Sequence, residues 1–449
     1  MLKHSIRIFV FVVLFAGARF VLAANHAQET ITTGTATIVG LHNILIAHSD
    51  DVTAVAFSPN GQRIASASND GTVVVWDSDG TVLLQFENGA RVFDVAFSPD
   101  GNSIATGDAA GVVQLWSAAS GQLTASLTGH RDSIPSIAFS PDGALLASGS
   151  FDTTVRVWNI ASGTQRVVLN GHTNWISDVA FNADGTLLAS GSFDGTARLW
   201  DVAAGIERAV LVGHGDVVRR IAFNPNGDTL ATVSVDGTAR LWDVATGSAR
   251  ATLEGHGDTV WMGIFNPTGT ILATAGRDTT VRLWDAATGT PLAVLEGHRG
   301  SVTRIAFSPD GNLLASGGAD TALILWDVAS GTQLNTLPGH TDTITAIAFN
   351  PIGTMLATGS RDQSVLLWGV LPGGEPLFCT VTSDGNVNMR DEPSTNAVVA
   401  GVLGGGQGAT VSGQRRGDDG FVWWRIINGA WVRSDVVATT GDCSNVPGV

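Results

Sequence analysis

Three side-chain types that could form a hydrolase active site recur at fixed spacing through most of the chain. A histidine stands 28 residues before a tryptophan seven times, an aspartate stands six residues before it seven times, and a serine or threonine stands ten residues before it eight times. Serine, histidine and aspartate are the components of a nucleophilic triad. Catalysis needs one such set in one pocket, whereas this set is repeated in nearly every copy. The repetition therefore favours a structural role, and no catalytic residue and no enzyme activity are expected.

The repeated histidines, aspartates and tryptophans are all assigned this structural role. They are His48, His130, His172, His214, His256, His298 and His340; Asp70, Asp152, Asp194, Asp236, Asp278, Asp320 and Asp362; and Trp76, Trp116, Trp158, Trp200, Trp242, Trp284, Trp326 and Trp368. A shared metal site is not expected, because each histidine belongs to a different copy. The acid-rich spacing of a calcium loop is also missing. The sequence predicts no metal and no cofactor.

The spacing of the tryptophans shows that the chain is built from internal repeats. The first interval between them is 40 residues and the other six are 42 residues. Within a copy, apolar segments such as 347–349, 355–357 and 365–368 have the length of β-strands. The segment between the first two of these, 350–353, and its equivalent 308–311 in another copy combine a proline, which fixes φ, with a glycine, which tolerates positive φ. Each copy is thus predicted to be a group of short strands joined by tight turns.

Gly-His, Asp-Gly and Trp-Asp pairs recur at intervals of about 42 residues, and in this the chain resembles the WD-repeat family. The resemblance covers roughly residues 37–370 and implies an all-β fold, a β-propeller of four-stranded blades. Seven copies are followed by a further strand-like segment. The eighth copy is followed instead by residues 371–376, which are predicted not to pair as a strand. Segment 37–47 is expected to complete the last blade instead. The prediction is eight blades; the alternative is seven, with the degenerate second repeat displaced.

The resemblance implies a buried hydrogen-bond chain of His, Ser or Thr, Asp and Trp within each blade, in which every polar atom is satisfied by the next. The second copy departs from this pattern. Asn88 replaces the histidine and Ala110 replaces the aspartate, which leaves Thr106 and Trp116. We expect this blade to be the least stable one, or its loop to be released for another use.

The positions that vary between copies are expected to determine the function. The resemblance implies three upper-rim positions per blade: the third and fifth residues after the histidine, and the residue before the aspartate. Aromatic and arginine side chains, which dominate binding hot spots, occupy several of them. The predicted partner-binding residues are Phe93, Phe151, Trp175, Phe193, Arg219, Trp261, Arg277 and Arg361. The alternative is that these side chains only fold over neighbouring blades.

Residues 1–23 have the features of a secretory signal peptide. Lys3 and Arg7 form a basic start, and an apolar run of eleven residues follows. The alternative, an uncleaved anchor, is weakened by the shortness of that run. Residues 24–36 are predicted to be a linker. We therefore expect the protein outside the cytoplasm, secreted or associated with the cell envelope, with no membrane span after processing.

The 42-residue rhythm stops near the end of the chain, where a second domain is predicted. Residues 371–377 form a linker, 378–443 the domain and 444–449 a tail. Cys379 and Cys443 are the only cysteines. In an exported protein such a pair is expected to form a disulfide, the alternative being two free thiols.

The order of segments in this second domain resembles the bacterial SH3-like domain, a small β-barrel. The segments are 387–390, a glycine-rich turn, Trp423-Trp424 and Trp431. Asp391-Glu392 stands where the family usually has Ser-Gly, so that turn is altered. The resemblance implies attachment to cell-wall peptide or to proteins.

Charge narrows the class of partner. The chain has 40 acidic against 24 basic residues and a net charge of -16, which argues against a nucleic-acid partner. The predicted function is an exported non-catalytic scaffold that binds a protein or peptide on the upper rim of the propeller. The alternative is an envelope-targeting protein whose SH3-like domain binds cell-wall peptide or a surface protein while the propeller displays a surface. A third hypothesis is an enzyme housed on the propeller, but the sequence lacks a unique, clustered set of acid and base residues that would support it.

Overall fold

The computed structural model describes residues 36–372 and, further on, the strands between 380 and 440; side chains are described for 41–369. Every described element is a β-strand, and no helix occurs among these residues. Strands β1 to β32 form eight antiparallel sheets of four strands each. Two stretches of the prediction, the signal peptide at 1–23 and the cysteines at 379 and 443, lie outside the described residues.

Strand β1 (Ala36–Ile46) precedes the first complete sheet. In seven sheets, four strands that follow one another along the chain pair in that order. These sheets are, in turn, β2 (Val52–Phe57), β3 (Arg63–Ser68), β4 (Thr72–Asp77) and β5 (Val82–Glu87); β6 (Val92–Phe97), β7 (Ser103–Asp108), β8 (Val112–Ser117) and β9 (Leu123–Thr128); β10 (Ser136–Phe139), β11 (Leu145–Gly149), β12 (Val155–Asn159) and β13 (Thr164–Leu169); β14 (Ile176–Phe181), β15 (Leu187–Ser192), β16 (Thr196–Asp201) and β17 (Ile206–Val212); β18 (Val218–Phe223), β19 (Thr229–Ser234), β20 (Ala239–Asp243) and β21 (Ala249–Leu253); β22 (Val260–Phe265), β23 (Ile271–Gly276), β24 (Val281–Asp285) and β25 (Pro291–Leu295); and β26 (Val302–Phe307), β27 (Leu313–Gly318), β28 (Leu323–Asp327) and β29 (Gln333–Leu337).

The eighth sheet contains β30 (Ile344–Phe349), β31 (Met355–Ser360) and β32 (Ser364–Pro372), and its fourth strand is β1. The first strand of each sheet contacts the first strands of the sheets before and after it, and β30 contacts β2, so the cycle closes. Each sheet is therefore one blade of a closed propeller whose first strands line a central channel. The eight-bladed all-β propeller is confirmed, and the seven-blade alternative is wrong.

Closure depends on pairing between the two ends of the propeller. Strand β1 runs antiparallel to β32 from the pair Ala36 and Pro372 to the pair Ile46 and Ser364, with irregularities on both sides of Leu41. The prediction that segment 371–376 does not pair is wrong for its first two residues, because β32 continues through Pro372. A proline is tolerated at a strand end, where no ladder hydrogen bond needs its nitrogen.

The turns between the first and second strands follow from their sequence. In blade three, Gly143 adopts φ of 70° and its amide donates to the carbonyl of Ser140 over 2.8 Å. The Asp142 carboxylate accepts from the Ser140 hydroxyl at 2.6 Å and from the Ala144 amide at 3.0 Å. These contacts close a tight turn in which glycine adopts the left-handed conformation at little steric cost. The aspartate thus acts as a turn former, consistent with the missing calcium-loop spacing.

The hydrophobic core is divided into layers, each formed between two neighbouring blades. In one layer, Val73, Val75 and Phe86 of blade one pack with Ile104 and Trp116 of blade two. The repeated tryptophan has the corresponding position in the other layers. Because both faces of a blade are covered in this way, no blade has a complete core without its neighbours.

The second unit of the chain includes Phe378–Val449. Its seven strands pair in the order β35, β34, β38, β37, β36, β33, β39. Their bounds are β33 (Thr380–Thr382), β34 (Val387–Arg390), β35 (Val399–Leu403), β36 (Gly408–Arg416), β37 (Val422–Ile426), β38 (Trp431–Arg433) and β39 (Ala438–Thr440). The β34, β37 and β38 bounds include the segments on which the SH3-like prediction rests, and that prediction stays a prediction.

Removal of β1 should open the propeller. A chain that begins at residue 47 loses the partner of β32 and the buried Leu45, which is 2% exposed. We expect its melting temperature to fall by roughly 10 °C, measured by circular dichroism. A chain that begins at residue 36 keeps β1 and is the matched control. Equal melting temperatures for the two chains would contradict closure through β1.

Candidate functional site

The repeated polar residues form one hydrogen-bond chain in each of seven blades. In blade four, Nδ1 of His172 lies 2.8 Å from the Asp194 carboxylate, and Nε2 lies 2.8 Å from the Ser190 hydroxyl. The Trp200 indole N–H donates to that same hydroxyl over 2.8 Å. With the carboxylate accepting from Nδ1–H, the free Nε2 accepts from the serine. Every polar atom then has a partner, which is what permits their burial.

The burial of these groups prevents them from acting as a triad on a substrate. Ser190 is fully buried, and its hydroxyl is held between the imidazole and the indole. A nucleophile must reach the reacting atom of a substrate, and this oxygen has no exposed surface. The same enclosure is found for Ser66, Ser148 and Ser316. The arrangement stabilises the blade and offers no catalytic surface.

The aspartate of this chain remains ionised over the ordinary pH range. Burial alone would raise the pKa of Asp194, but hydrogen bonds from His172 and Thr196 and the nearby imidazole outweigh it and hold the pKa well below its usual range. In blade one, burial lowers the pKa of His48 in spite of Asp70. In blade one, the favoured pair at neutral pH is therefore a neutral His48 imidazole and an ionised Asp70 carboxylate.

The second blade rebuilds the chain with different residues. The Asn88 side chain donates to Asp108 over 3.0 Å and accepts from the Thr106 hydroxyl at 2.6 Å. Asp108 also accepts from the amide of Ala110 at 2.9 Å, while Trp116 lies 3.4 Å from Thr106. The expectation that only Thr106 and Trp116 remain in this blade is wrong, because Asp108, two residues before the usual position, takes over the carboxylate's role.

Five of the eight predicted partner-binding residues lie together on the rim. The rings of Phe151 and Trp175 stack with centroids 4.5 Å apart and an interplanar angle of 16°. Phe193 contacts both rings, at 5.4 Å from Trp175 and 6.4 Å from Phe151. The Arg219 guanidinium lies 5.1 Å from the Phe193 centroid and 4.8 Å from that of Trp261. We call these five residues the rim cluster.

The rim cluster is assembled from four successive blades. Phe151 follows the second strand of blade three, Trp175 and Phe193 belong to blade four, and Arg219 and Trp261 lie on the first strands of blades five and six. The amide of Phe193 donates to the Trp175 carbonyl over 2.8 Å, which fixes two loops of blade four side by side. The Trp261 indole donates to Ser301 of blade seven over 2.9 Å. Ser301 is a supporting residue outside the eight predicted ones.

The other three predicted residues do not join the rim cluster. Phe93 lies on β6 and is half-buried. Arg277 is 63% exposed in its side chain and lies 3.8 Å from Asp258. Arg361 is 57% exposed and lies 3.8 Å from Asp51. Such exposed ion pairs contribute little to stability, so both guanidinium groups remain accessible.

The central channel contains a charged group that the sequence interpretation did not use. Asp94, Asp178, Arg220 and Arg304 occupy corresponding positions on the first strands of blades two, four, five and seven. Arg220 donates to Asp178 over 2.9 Å. The signal in the sequence is simple: each charge directly follows a predicted rim position. This position is Ala, Ser or Met in the other four blades, so the two aspartates and two arginines show that it varies between blades.

Comparison with known proteins places the propeller in a family. Eight consecutive segments match the WD domain, G-beta repeat: 41–77, 80–117, 121–159, 163–201, 205–243, 247–285, 289–327 and 331–369. Together they make up more than half of the chain. The chain belongs to the WD40 repeat family. WD40 propellers are in general non-catalytic scaffolds for protein interactions.

Among solved structures, the chain is similar to the computationally designed Ika8 protein in its crystal packing No.1 in P63. The sequences are 31% identical with a TM-score of 0.67, over 74% of this chain and 100% of that one. None of the curated proteins matches the chain. The described part of the chain contains no helix able to cross a membrane. It also contains no group of three or more His, Cys, Asp or Glu side chains that could hold a metal ion.

Ser190→Ala should destabilise the propeller strongly. The change leaves the Trp200 indole N–H and Nε2 of His172 without their buried partner, which costs about 2–4 kcal/mol in free energy of unfolding. Urea denaturation followed by tryptophan fluorescence measures the loss. Ser162→Ala is the control, because Ser162 lies exposed in a loop. A similar small effect of both changes would show that the buried chain contributes little.

Asp94 should make stability depend on pH. Burial raises its pKa to about 6, against hydrogen bonds from the amide of Ile137 and the charge of Arg220, with Asp178 adding to the rise. The folded protein therefore binds a proton between pH 6 and 4 that the unfolded chain does not, and the protein gains stability as pH falls through 6. The gain is on the order of 1 kcal/mol between pH 7.5 and 5.

The measurement compares the free energy of unfolding of the wild type and Asp94→Asn at both pH values. The asparagine side chain of the variant cannot titrate, so the difference between the two proteins should shift in favour of the wild type at pH 5. The carboxylates whose pKa values are lowered, such as Asp194, titrate below this window and are common to both proteins. A difference that is independent of pH would mean that Asp94 titrates normally.

Proposed function

We propose that this chain is an exported, non-catalytic scaffold that binds a protein or peptide partner on the rim cluster. The observation on which the proposal rests is the continuous contact from Phe151 through Trp175, Phe193 and Arg219 to Trp261. Residues on separate blades form one surface there. Trp175 is 44% exposed although it is a large apolar side chain. Exposed aromatic surface of this kind marks interaction sites.

The contacts within the rim cluster make it rigid before a partner arrives. Stacked aromatic pairs contribute about 0.5–1.5 kcal/mol each beyond their burial, and cation–π contacts about 0.5–2 kcal/mol. Arg219 is held between two rings, so its side chain has little rotamer freedom to lose on binding. A preorganised surface of tryptophan and arginine has the composition and the low entropic cost typical of a binding hot spot.

The charge of Arg219 favours a partner with an acidic group. No ion pair among the described residues includes Arg219, and its Nε lacks a hydrogen-bond partner. Burial, with the neighbouring Arg220, lowers the pKa of this guanidinium in spite of Asp216. A carboxylate from the partner would compensate the charge. We therefore propose a partner segment with an aromatic or apolar side chain next to an acidic side chain or a C-terminal carboxylate.

We further propose that the second unit is the SH3-like domain and that it attaches the protein to the cell envelope. The seven strands described between 380 and 440, which belong to a different unit from the propeller, support a small β domain of this kind. Export is supported by the sequence of residues 1–23. In this second candidate function, cell-wall peptide or a surface protein is the ligand of the terminal domain, and the propeller displays the rim cluster.

Replacement of the two rim tryptophans should abolish partner binding. Peptides selected from a random display library on the purified chain should bind Trp175→Ala/Trp261→Ala about 30-fold or more weakly, because a hot-spot residue contributes about 2 kcal/mol or more. Affinity is measured by fluorescence anisotropy of the selected peptides.

The matched control for this experiment is Ile206→Ala/Val212→Ala. These side chains are also exposed, at 60% and 71%, but lie on the outer strand of blade four. Selected peptides should bind this variant like the wild type. Selection of peptides that bind all three proteins equally would refute the rim proposal. Binding retained by the isolated segment 377–449 would assign the activity to the terminal unit.

A further inference from the structure

The channel of the propeller contains a guanidinium, that of Arg304, which forms no ion pair with any of the described residues. The charged residues Asp94, Asp178, Arg220 and Arg304 form part of a ring that takes one residue from each first strand. Asp178 accepts from the Ser136 hydroxyl at 3.0 Å, from Arg220 at 2.9 Å and from the amide of Ile221 at 3.0 Å. Asp178 and Arg220 thus neutralise each other.

Arg304 has no such partner. None of the ion pairs among the described residues includes it. Its one hydrogen bond there runs from Nη1 to the carbonyl of the preceding Thr303, over 2.8 Å. A guanidinium has five N–H donors and strongly favours a carboxylate in bidentate geometry. Burial, together with the charge of Arg220, lowers the pKa of Arg304 to about 9, although the charges of Asp94 and Asp178 act in the opposite direction.

The surroundings of Arg304 leave room and limit the charge of a ligand. On the adjacent first strand of blade eight the corresponding residue is Ala346, and on blade one it is Ala54. Beyond them lies Asp94, whose two oxygens accept from the amides of Val95 and Ile137 at 3.0 Å each. A ligand with one negative charge next to Arg304 is therefore favourable, whereas a second negative charge would be repelled by the carboxylate of Asp94 or Asp178.

A chamber lined mostly by apolar residues adjoins this charged ring. A cavity of about 690 Å³ is lined by phenylalanines from the ends of six first strands, by prolines of the following turns, and by the polar residues Ser58, Asn266, Ser308 and Asn350. Ala222, Ile264 and Ala306 also line it, and Ala306 lies two residues after Arg304. Residues two apart on a strand share a side and are about 6.6 Å apart. The chamber and the guanidinium are thus neighbouring parts of one channel, and the volume is in the range of small-molecule sites.

We propose that the propeller channel binds a small apolar monocarboxylate, an arylalkyl or medium-chain organic acid, with its carboxylate on the Arg304 guanidinium and its apolar body among the phenylalanines. The carboxylate of the ligand supplies the negative charge that pairs with Arg304, and its apolar body lies in the chamber. The two channel aspartates select against dicarboxylates. This site is independent of the rim cluster and does not require the proposed partner.

The test uses the full chain and isothermal titration calorimetry with 3-phenylpropionate and with octanoate. We expect Arg304→Met to weaken binding about tenfold or more, because the charge-assisted hydrogen bonds are lost. Arg304→Lys should retain part of the affinity, since the charge remains. Arg208→Met removes an exposed arginine of the outer strand of blade four and should bind like the wild type.

Two ligand controls test the chemistry separately from the fold. The alcohol 3-phenylpropan-1-ol lacks the charge, and phenylsuccinate has a second one; both should bind about tenfold or more weakly than 3-phenylpropionate. Because these controls use the unchanged protein, they test the proposed carboxylate site even if Arg304→Met does not fold. Equal binding of acid and alcohol, or no heat of binding at about 10 mM ligand, would overturn the proposal.

The rim variant Trp175→Ala/Trp261→Ala separates this proposal from the proposed function. It should bind 3-phenylpropionate with unchanged affinity, because neither tryptophan lines the chamber. Loss of the acid's binding in that variant would place the carboxylate on Arg219 of the rim cluster and refute the channel site.

Discussion

Closure of the ring is the constraint on which the rest of this structure depends. Eight sheets with nearly the same sequence could in principle stack without end, because each blade buries its faces against neighbours. The antiparallel pairing of β1 with β32 ends that series by joining the first and last parts of the propeller in one sheet. Once eight blades close, the angle between neighbours is fixed at about 45° by symmetry. The rim and channel positions of each blade then have set neighbours.

This constraint explains how scattered residues become one surface. Phe151 and Trp261 are far apart in the sequence, yet both contact the same chain of rings through Trp175, Phe193 and Arg219. The buried chains of His, Ser or Thr, Asp and Trp hold seven of the blades to a common geometry and therefore cannot distinguish one of these blades from another. What differs between blades is exposed on the rim or in the channel. Specificity must arise there, because the frame is the same everywhere.

Much of the fold could be predicted from periodicity, since the 42-residue spacing determines strand number and order. The role of segment 37–47 could also be predicted from the sequence, because the last repeat lacks a fourth strand. The extension of β32 through Pro372 could not be predicted, because the pairing of a strand end depends on its partner in space. Asp108 was missed for a related reason. Its position in the repeat is usually Gly or Ser, and only the structure shows its carboxylate next to Asn88.

The functional site was predicted less completely, because contacts between blades have no local sequence signal. The composition of the rim identified aromatic and arginine residues but could not show that Arg219 lies between two rings or that Phe93 lies apart from them. The channel charges were overlooked altogether. Which of these charges form ion pairs can be recognised only in the three-dimensional structure, as with Asp178 and Arg220 on neighbouring blades.

The choice of arginine over lysine is consistent with all of these environments. Lys3 is the only lysine of the chain, so every cation of the propeller is a guanidinium. A planar guanidinium stacks on aromatic rings, as Arg219 does, and tolerates partial burial without losing its proton. It also forms charge-assisted hydrogen bonds with carboxylates, as Arg220 does with Asp178. An ammonium in these positions would be strongly hydrated and would stay charged less readily in the channel. The cations that distinguish the blades are therefore of the type that can be both buried and available for binding.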